Sequence, residues 1–394
     1  MDQIYERFLE ILSAALRGES YTPDAETVKL LPKLYRLAEV HHIQPLIVNC
    51  VEDVTQIGAI RYARELTITQ AQRTADFIVL LKAMEERGLW PVVMKGFVCR
   101  ALYPEPELRS SVDEDLLIPT KDYKAYQALL AEHGIFPVSG DPLEELYFDR
   151  DHDFTLELHT ALFPESSDAY GDCNRFFEGA IERAAEVEIN GLRVKTLCPT
   201  DHLLFLLCHA YKHFLHGGVG IRQICDMALM IERDGASMDW AHIRSACETL
   251  HIAVFSAGLF RIAERRLGYA MPAAFAELEV DERDLLEDVL SGGLYGVEDI
   301  NRAHSSTITL EAVSADRKGK RRKGAFHAIF LPLKSMKGNY PYLRKYPWLL
   351  PWAWLQRIWR YLTRKQRTDS VHPTRSIRIA NERVGLLKEY GIIE

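Results

Sequence analysis

Residues 93–118 read VMKGFVCRALYPEPELRSSVDEDLLI, and this stretch says more about the fold than any other part of the chain. An apolar run at 90–94 leads into it and ends before Lys95-Gly96, and a second apolar run at 116–118 closes it. The second run begins at two carboxylates one residue apart, Asp113 and Asp115. Because side chains alternate along a β-strand, both carboxylates are expected on one face. Two neighbouring carboxylates repel each other unless a cation lies between them, so the pair predicts a site for Mg²⁺.

A third carboxylate follows on a second predicted strand. Residues 154–159 read FTLELH and alternate strictly, which places Glu157 and His159 on one face and the apolar side chains on the other. If the two strands are neighbours, three acids surround the predicted metal site, as nucleotidyl transfer needs. One ion would activate the acceptor oxygen, and the other would neutralise the triphosphate and the leaving pyrophosphate. Lys95 and Arg109 are the candidate phosphate ligands.

Composition places the chain among ordinary globular proteins. It has 394 residues, of which 26% are charged and 47% hydrophobic. The seven cysteines are scattered without a C-x-x-C pair, so neither a disulfide framework nor a cysteine zinc site is expected. The first residues do not resemble a signal peptide, and no run of about 18 apolar residues occurs. We therefore expect a cytoplasmic protein without an integral membrane segment.

The charge is unevenly distributed. Residues 317–367 contain 15 basic and no acidic residues, whereas the rest of the chain has 33 basic against 56 acidic residues. Within this basic segment, four of the six tryptophans occur at positions 348, 352, 354 and 359. The pattern fits a membrane-surface helix, a platform for stacking nucleic-acid bases, or a segment that packs on the acidic body. Packing on the body is the preferred interpretation.

Periodicity predicts the domain organisation. Residues 1–74 have helical spacing, 75–199 alternate between strand and helix patterns, 200–300 are helical again, and 301–394 form the basic, aromatic-rich C-terminal segment. The predicted fold class is α+β. A small mixed β-sheet core is flanked by a helical N-terminal region and a helical C-terminal region.

A cluster of histidines lies in the predicted helix that begins near residue 200. His209, His213 and His216 are spaced i, i+4 and i+7, which places them on one helix face. A zinc hydrolase of the H-E-x-x-H type needs a glutamate directly after the first histidine, and this chain has Ala210 there. The cluster is therefore interpreted as a polar face turned toward a cleft.

These motifs together carry a family resemblance. The chain resembles the uncharacterised bacterial nucleotidyltransferase family of the polymerase-β-like superfamily, whose pattern is L-K-G, Y-P, R, D-I-D-L-L-V and later D/E-L-H. The matching residues are Met94-Lys95-Gly96, Tyr103-Pro104, Arg109, the stretch 113–118 and Glu157-Leu158-His159, followed by 209–213 and 221–228. The resemblance covers residues 35–235 well and the C-terminal third loosely.

The resemblance implies metal-dependent transfer of a nucleoside monophosphate from an NTP onto an acceptor hydroxyl or phosphate. Asp113, Asp115 and Glu157 would be the catalytic and metal-binding residues, with Mg²⁺ or Mn²⁺ as cofactor. Gly96 would begin the helix that handles phosphate. Residues that would contact the nucleotide or the acceptor are Lys95, Arg109, His159, Lys212 and His213. The acceptor is left open among a small molecule, a sugar, an RNA and a protein.

Two residues depart from the superfamily pattern. Members usually have Gly-Ser where this chain has Gly96-Phe97, which leaves phosphate binding to Lys95, Arg109 and backbone amides at a helix N-terminus. The residue between the two acids is usually apolar, and here it is Glu114. Glu114 thus places a charge on the strand face that should be buried, unless the strand lies at the edge of the sheet.

Two alternatives stay open. The departures and the tryptophan-rich segment favour a catalytically weak nucleotide-binding or membrane-surface interaction module linked to polysaccharide assembly. The basic run at 317–323 favours a tRNA or protein acceptor.

Overall fold

A computed structural model gives the structure of the protein for residues 2–53, 55–138, 146–149, 154–294, 300–318, 333–336, 340, 342–363 and 373–394. Most of the basic run at 317–323 lies outside these described residues, which include only Arg317 and Lys318 from it.

A seven-stranded mixed sheet forms the centre of the fold. Its order is β3-β4-β5-β2-β1-β7-β6, in which β2 pairs with β5 and β1 with β7 in parallel, and the other pairs are antiparallel. This confirms the predicted α+β class with a mixed sheet. The strands are β1 (Val92–Met94), β2 (Asp113–Leu117), β3 (Ile135–Pro137), β4 (Leu146–Asp149), β5 (Phe154–His159), β6 (Ala185–Ile189) and β7 (Leu192–Thr196).

Helices precede and follow the sheet, as predicted. Before and within the sheet region lie α1 (Gln3–Leu16), α2 (Ala25–Val40), α3 (Gln44–Cys50), α4 (Ile57–Glu86), α5 (Gly96–Arg100) and α6 (Tyr123–Glu132). After it come α7 (Pro199–His216), α8 (Ile221–Asp234), α9 (Trp240–Thr249), α10 (Ala253–Leu267), α11 (Arg283–Gly292), α12 (Ile300–Arg317), α13 (Leu333–Met336), α14 (Tyr342–Lys345), α15 (Leu350–Thr363) and α16 (Pro373–Glu389).

Two large hydrophobic cores hold these layers together. The first core joins helices that come before the sheet in the sequence to helices that come after it. It contains Phe8 of α1, Phe255 of α10 and Tyr390 after α16. The second lies between the sheet and the helices α4 and α6, and includes Phe77 and Leu129. Helices therefore pack against the sheet, as expected for a layered α+β fold.

Local signals explain where several elements end. Gly88, in the left-handed region at φ +70°, follows α4, and Asn190 and Gly191, at φ +50° and +72°, form the turn between β6 and β7. The short strands β3, β4 and β6 were not predicted. In the edge strand β6 the sequence AEVEI alternates strictly between apolar residues and glutamates, which is a strand signal that sequence analysis overlooked.

None of the helices in the described residues is both long enough and apolar enough to cross a bilayer.

Candidate active site

Strand register brings the predicted acids together. β2 lies between β1 and β5, and in the parallel β2–β5 pair Asp113 is opposite Thr155 and Asp115 is opposite Glu157. Because Asp113 and Asp115 alternate with core residues, their side chains project from the same face of β2. The pairing predicted from the sequence is thereby present, with Glu157 on the neighbouring strand directly beside Asp115.

Two cationic side chains surround Asp115. The Lys95 ammonium lies 2.8 Å from Asp115 Oδ1, and His159 Nε2 lies 3.2 Å from the same oxygen and 3.1 Å from Glu157 Oε2. Although burial alone would raise the pKa of Asp115, Lys95 and His159 outweigh it and hold this pKa well below its usual range. Burial alone would lower the pKa of His159, but its hydrogen bonds to the two carboxylates outweigh it and raise this pKa to about 9. The contacts of His159 with Asp115 and Glu157 therefore favour its imidazolium form as long as no cation takes its place between the two acids.

The donor set suits a hard divalent cation. Single ligand atoms of Asp115, Glu157 and His159 all lie within 4.8 Å of one another. Burial, and next the charge of Asp115, raises the pKa of Asp113. This repulsion between acids is what a cation between them would relieve, and carboxylate oxygens are the ligands that Mg²⁺ and Mn²⁺ prefer. The residues present therefore fit the metal that the resemblance implies.

The histidine face of α7 borders the same site. Lys95 Nζ lies 3.1 Å from His209 Nε2, which is 3.1 Å from His213 Nε2. Gln223 Nε2 of α8 lies 3.1 Å from His209 Nδ1. Burial, and next the charge of Lys95, holds the pKa of both histidines well below the ordinary value, so both are neutral. Of the predicted polar face, His209 and His213 thus lie beside Lys95, whereas His216 Nε2 lies 3.0 Å from the Tyr170 hydroxyl.

His202 also belongs to this wall and was not predicted. Its Nε2 accepts a hydrogen bond from the Lys95 backbone N–H at 3.3 Å. Lys95 has φ +42°, an unusual conformation for a side-chain-bearing residue, and this contact supports it. Burial, and next the charge of Arg233, lowers the pKa of His202 to about 4, which keeps Nε2 free to accept. Its position seven residues before His209, on the same helix face, is the signal that sequence analysis overlooked.

Glu114 lies on a central strand, not on an edge. It is 2% exposed, forms an ion pair with the buried Arg100, and accepts a hydrogen bond from the Phe97 N–H at 2.7 Å. Burial raises its pKa despite Arg100. A Cβ atom at Gly96 would lie 2.2 Å from Glu114 Oε2, so any side chain there would displace the Glu114 carboxylate from this position. The Phe97 amide, one of the backbone groups expected to bind phosphate, is therefore already occupied by a carboxylate.

Arg109, a predicted phosphate ligand, lies in a buried ion pair. Its Nε and Nη2 donate to the two carboxylate oxygens of Asp226 at 2.8 and 2.6 Å, and the Tyr103 hydroxyl donates to the same group at 2.8 Å. Arg222, four residues before Asp226 on α8, donates to the Ser110 carbonyl. Arg109 thus ties the loop before β2 to α8. A contact of Arg109 or the partly buried Lys212 with nucleotide stays a prediction.

Two solved structures are similar to part of the chain. No curated protein matches the chain. A crystal structure of ANT(2")-Ia in complex with adenylyl-2"-tobramycin is similar, with 17% identity, 45% of this chain and 95% of that chain covered, and a TM-score of 0.33. A solution structure of the antibiotic-resistance factor ANT(2'')-Ia has 16% identity, covers 46% and 91%, and has the same TM-score.

A family model described as "uncharacterised nucleotidyltransferase" matches residues 31–268, which is more than half of the chain and includes the whole acid and histidine site. The protein therefore belongs to this family of nucleotidyltransferases.

Proposed function

We propose that this enzyme uses a divalent metal to transfer a nucleoside monophosphate from an NTP to an acceptor hydroxyl or phosphate. The observation that carries the proposal is the register of β2 and β5. It sets Asp115 directly beside Glu157, with Asp113 two residues earlier on the same face. Asp113, Asp115 and Glu157 would hold the metal. When bound, Mg²⁺ or Mn²⁺ would supply charge neutralisation of the triphosphate and activation of the acceptor oxygen.

The charges around the acids support binding of a polyanionic donor. Lys95 and His159 hold the pKa of Asp115 low, so its carboxylate is ionised at neutral pH and has the charge that a metal ligand needs. Lys95 contacts both Asp115 and His209, so its ammonium lies between the acids and the histidines of α7. Lys95 would bind the triphosphate, and the neutral His213 would donate a hydrogen bond to nucleotide or acceptor.

The proposed reaction is an in-line displacement. An acceptor oxygen forms a bond to the α-phosphorus of the NTP, the bond from that phosphorus to the α–β bridging oxygen breaks, and pyrophosphate leaves with the electron pair. A hydroxyl acceptor releases its proton to solvent. No other oxidant, reductant or co-reactant is needed, and catalysis consists of positioning and electrostatic stabilisation.

One labelling experiment tests the proposal. The full-length protein is incubated with each α-labelled NTP, Mg²⁺ or Mn²⁺, and a cell extract that is afterwards separated into RNA, protein and small molecules. We expect label in one fraction. The rate of transfer should fall about a hundredfold or more in Asp113→Asn and in Asp115→Asn, because each substitution removes a negative charge that would stabilise the transition state through the metal. The matched control is Asp284→Asn at an exposed position of α11, which should transfer normally.

Transfer by Asp115→Asn at the wild-type rate contradicts the proposal, as does wild-type protein that binds Mg–NTP but labels nothing. The second of these results would support a nucleotide-binding module without turnover. One observation favours that alternative, since the Phe97 amide is occupied by Glu114. Calorimetric titration of the protein with Mg–NTP separates the two, because a binding module retains affinity without producing pyrophosphate.

A further inference from the structure

The helix α15 and the turn before it display an apolar surface that the nucleotidyltransferase site does not use. Its four members are spaced i, i+4, i+7 and i+11, which is one face of a helix. Trp348 is 73% exposed, Trp352 56%, Leu355 58% and Trp359 69%. We call these four residues the tryptophan face. Exposure of three tryptophans in a row is unusual, because large aromatic side chains normally lie at least partly within a core.

The opposite side of α15 shows why this face points outward. Ala353 is fully buried in a small hydrophobic cluster with Met336, Tyr340 and Leu343. This cluster is separate from the two large cores that cover the sheet. The helix therefore uses one side for its own local packing and leaves the tryptophan face to an external surface.

Charge around the helix is strongly positive. Residues 342–367 contain seven arginines or lysines and no acidic residue, and Lys345 is exposed directly before the tryptophan face. The spacing of the tryptophan face leaves out both arginines of the helix, at positions 357 and 360. An apolar aromatic side combined with a basic remainder is typical of helices that lie in a membrane interface.

We propose that the tryptophan face docks the enzyme on the surface of a bilayer with anionic headgroups. The tryptophans and Leu355 would enter the boundary between headgroups and acyl chains, and the basic residues that flank the helix, such as Lys345, would contact the lipid phosphates. At 14 residues the helix is about 21 Å long, too short to span a bilayer, so it would lie along the surface. The enzyme would then act as a peripheral membrane protein on an acceptor at that surface.

Two other occupants fit less well. A second copy of the chain would bring two strongly basic segments together, and the tryptophan face offers only about 600 Å² against the roughly 800 Å² per partner of a stable interface. A nucleic-acid platform alternates aromatic and basic side chains in a groove, whereas this face has an aliphatic residue, Leu355, at its centre and contains no basic residue.

Vesicle co-sedimentation of the full-length protein tests the proposal. We expect binding to phosphatidylcholine vesicles that contain about one third phosphatidylglycerol, and binding about tenfold weaker or less to phosphatidylcholine alone. Added salt should weaken it, since charge is screened. Tryptophan emission should shift to shorter wavelength on binding, because four of the six tryptophans lie in this segment.

A variant and a matched control identify the surface. The triple variant Trp348→Ala, Trp352→Ala and Leu355→Ala should bind anionic vesicles at least about tenfold less, because it removes the inserted apolar area. The control changes Ile57, Ile68 and Val79 of α4 to alanine, which are 74%, 59% and 61% exposed on a different surface, and should bind normally. Both variants should keep the circular dichroism spectrum and the nucleotidyl transfer in solution, so failure here is distinct from failure of the proposed function.

Equal vesicle binding by the triple variant and the wild type overturns the proposal, as does a wild type that binds neither vesicle. Binding of a single-stranded RNA that the triple variant loses, without vesicle binding, would assign the face to nucleic acid instead. A concentration-dependent dimer that the triple variant abolishes, again without vesicle binding, would assign it to a second copy.

Discussion

Asp115 shows at the scale of one residue how the site balances charge. Its carboxylate is almost fully buried, which is costly for an ion, and it persists because Lys95 and His159 both contact Oδ1. Glu157 shares His159 with it at 3.1 Å. The same contacts that stabilise the acids also place positive charge where we propose that a triphosphate binds.

Glu114 is the second residue that depends on a partner. Glu114→Leu should lower the free energy of unfolding by about 3–5 kcal/mol, because it leaves the Arg100 guanidinium buried without its ion pair. The double variant with Arg100→Met should lose much less, since no uncompensated charge remains. Denaturant unfolding of the single and double variants measures both quantities.

An exposed ion pair provides the control for this prediction. Glu132 pairs with Arg87 at side chains that are 54% and 44% exposed, and Glu132→Leu should cost less than about 1 kcal/mol. If the double variant at positions 100 and 114 were as unstable as Glu114→Leu alone, the buried pair would not be the cause.

At the scale of elements, β2 separates two functions by its alternation. Asp113 and Asp115 project to the site, while Glu114 and Leu116 project to the packed side of the sheet. Sequence alternation therefore predicted that Asp113 and Asp115 share one face of the strand. It did not predict the partner of the charge on the other face, because the pairing of Glu114 with Arg100 depends on how α5 packs against β2.

The β6–β7 hairpin gives a prediction for an element. Gly191 has φ +72° and open space around it, so Gly191→Ala should cost about 1 kcal/mol through backbone strain alone. Gly385 also has open space but lies inside α16, where Gly385→Ala should stabilise by about 1 kcal/mol. Thermal unfolding of the two variants should therefore shift in opposite directions, and shifts in the same direction would contradict this account of the turn.

At the scale of the whole molecule, long-range polar contacts join parts that are distant in sequence. Arg109 and Asp226 connect the sheet to α8, and His41 after α2 connects to the Leu290 carbonyl of α11, 3.2 Å from its Nε2. His41 is fully buried, and its Nδ1 has no hydrogen-bond partner among the described residues. Protonation of His41 in the folded protein is therefore unfavourable.

This burial predicts acid sensitivity of the whole fold. Burial lowers the pKa of His41 to about 4, against about 6.5 in the unfolded chain. Between these values the unfolded state binds the extra proton, so stability is present above pH 6.5 and falls as the pH drops toward 4. The loss from this residue should be about 2 kcal/mol between about pH 7 and pH 5.

Denaturant unfolding across this pH range tests the prediction with His41→Gln, which keeps a donor for Leu290 but does not titrate. Its stability should fall by about 2 kcal/mol less than that of the wild type. The exposed His242→Gln is the control and should behave like the wild type. A wild type and His41→Gln with equal pH dependence would contradict the assignment.

The sequence by itself determined the α+β class, the two strands that carry the acids, and the histidine face of α7. These features depend on strand alternation and helical spacing, which are patterns among residues close together in the sequence. Only the tertiary structure decided that Arg109 pairs with Asp226, that Glu114 occupies the Phe97 amide, and that His202 supports Lys95. Each of these contacts joins residues from separate elements. Which charged or polar groups pair is decided by the tertiary packing, because packing removes water from both groups and brings them together.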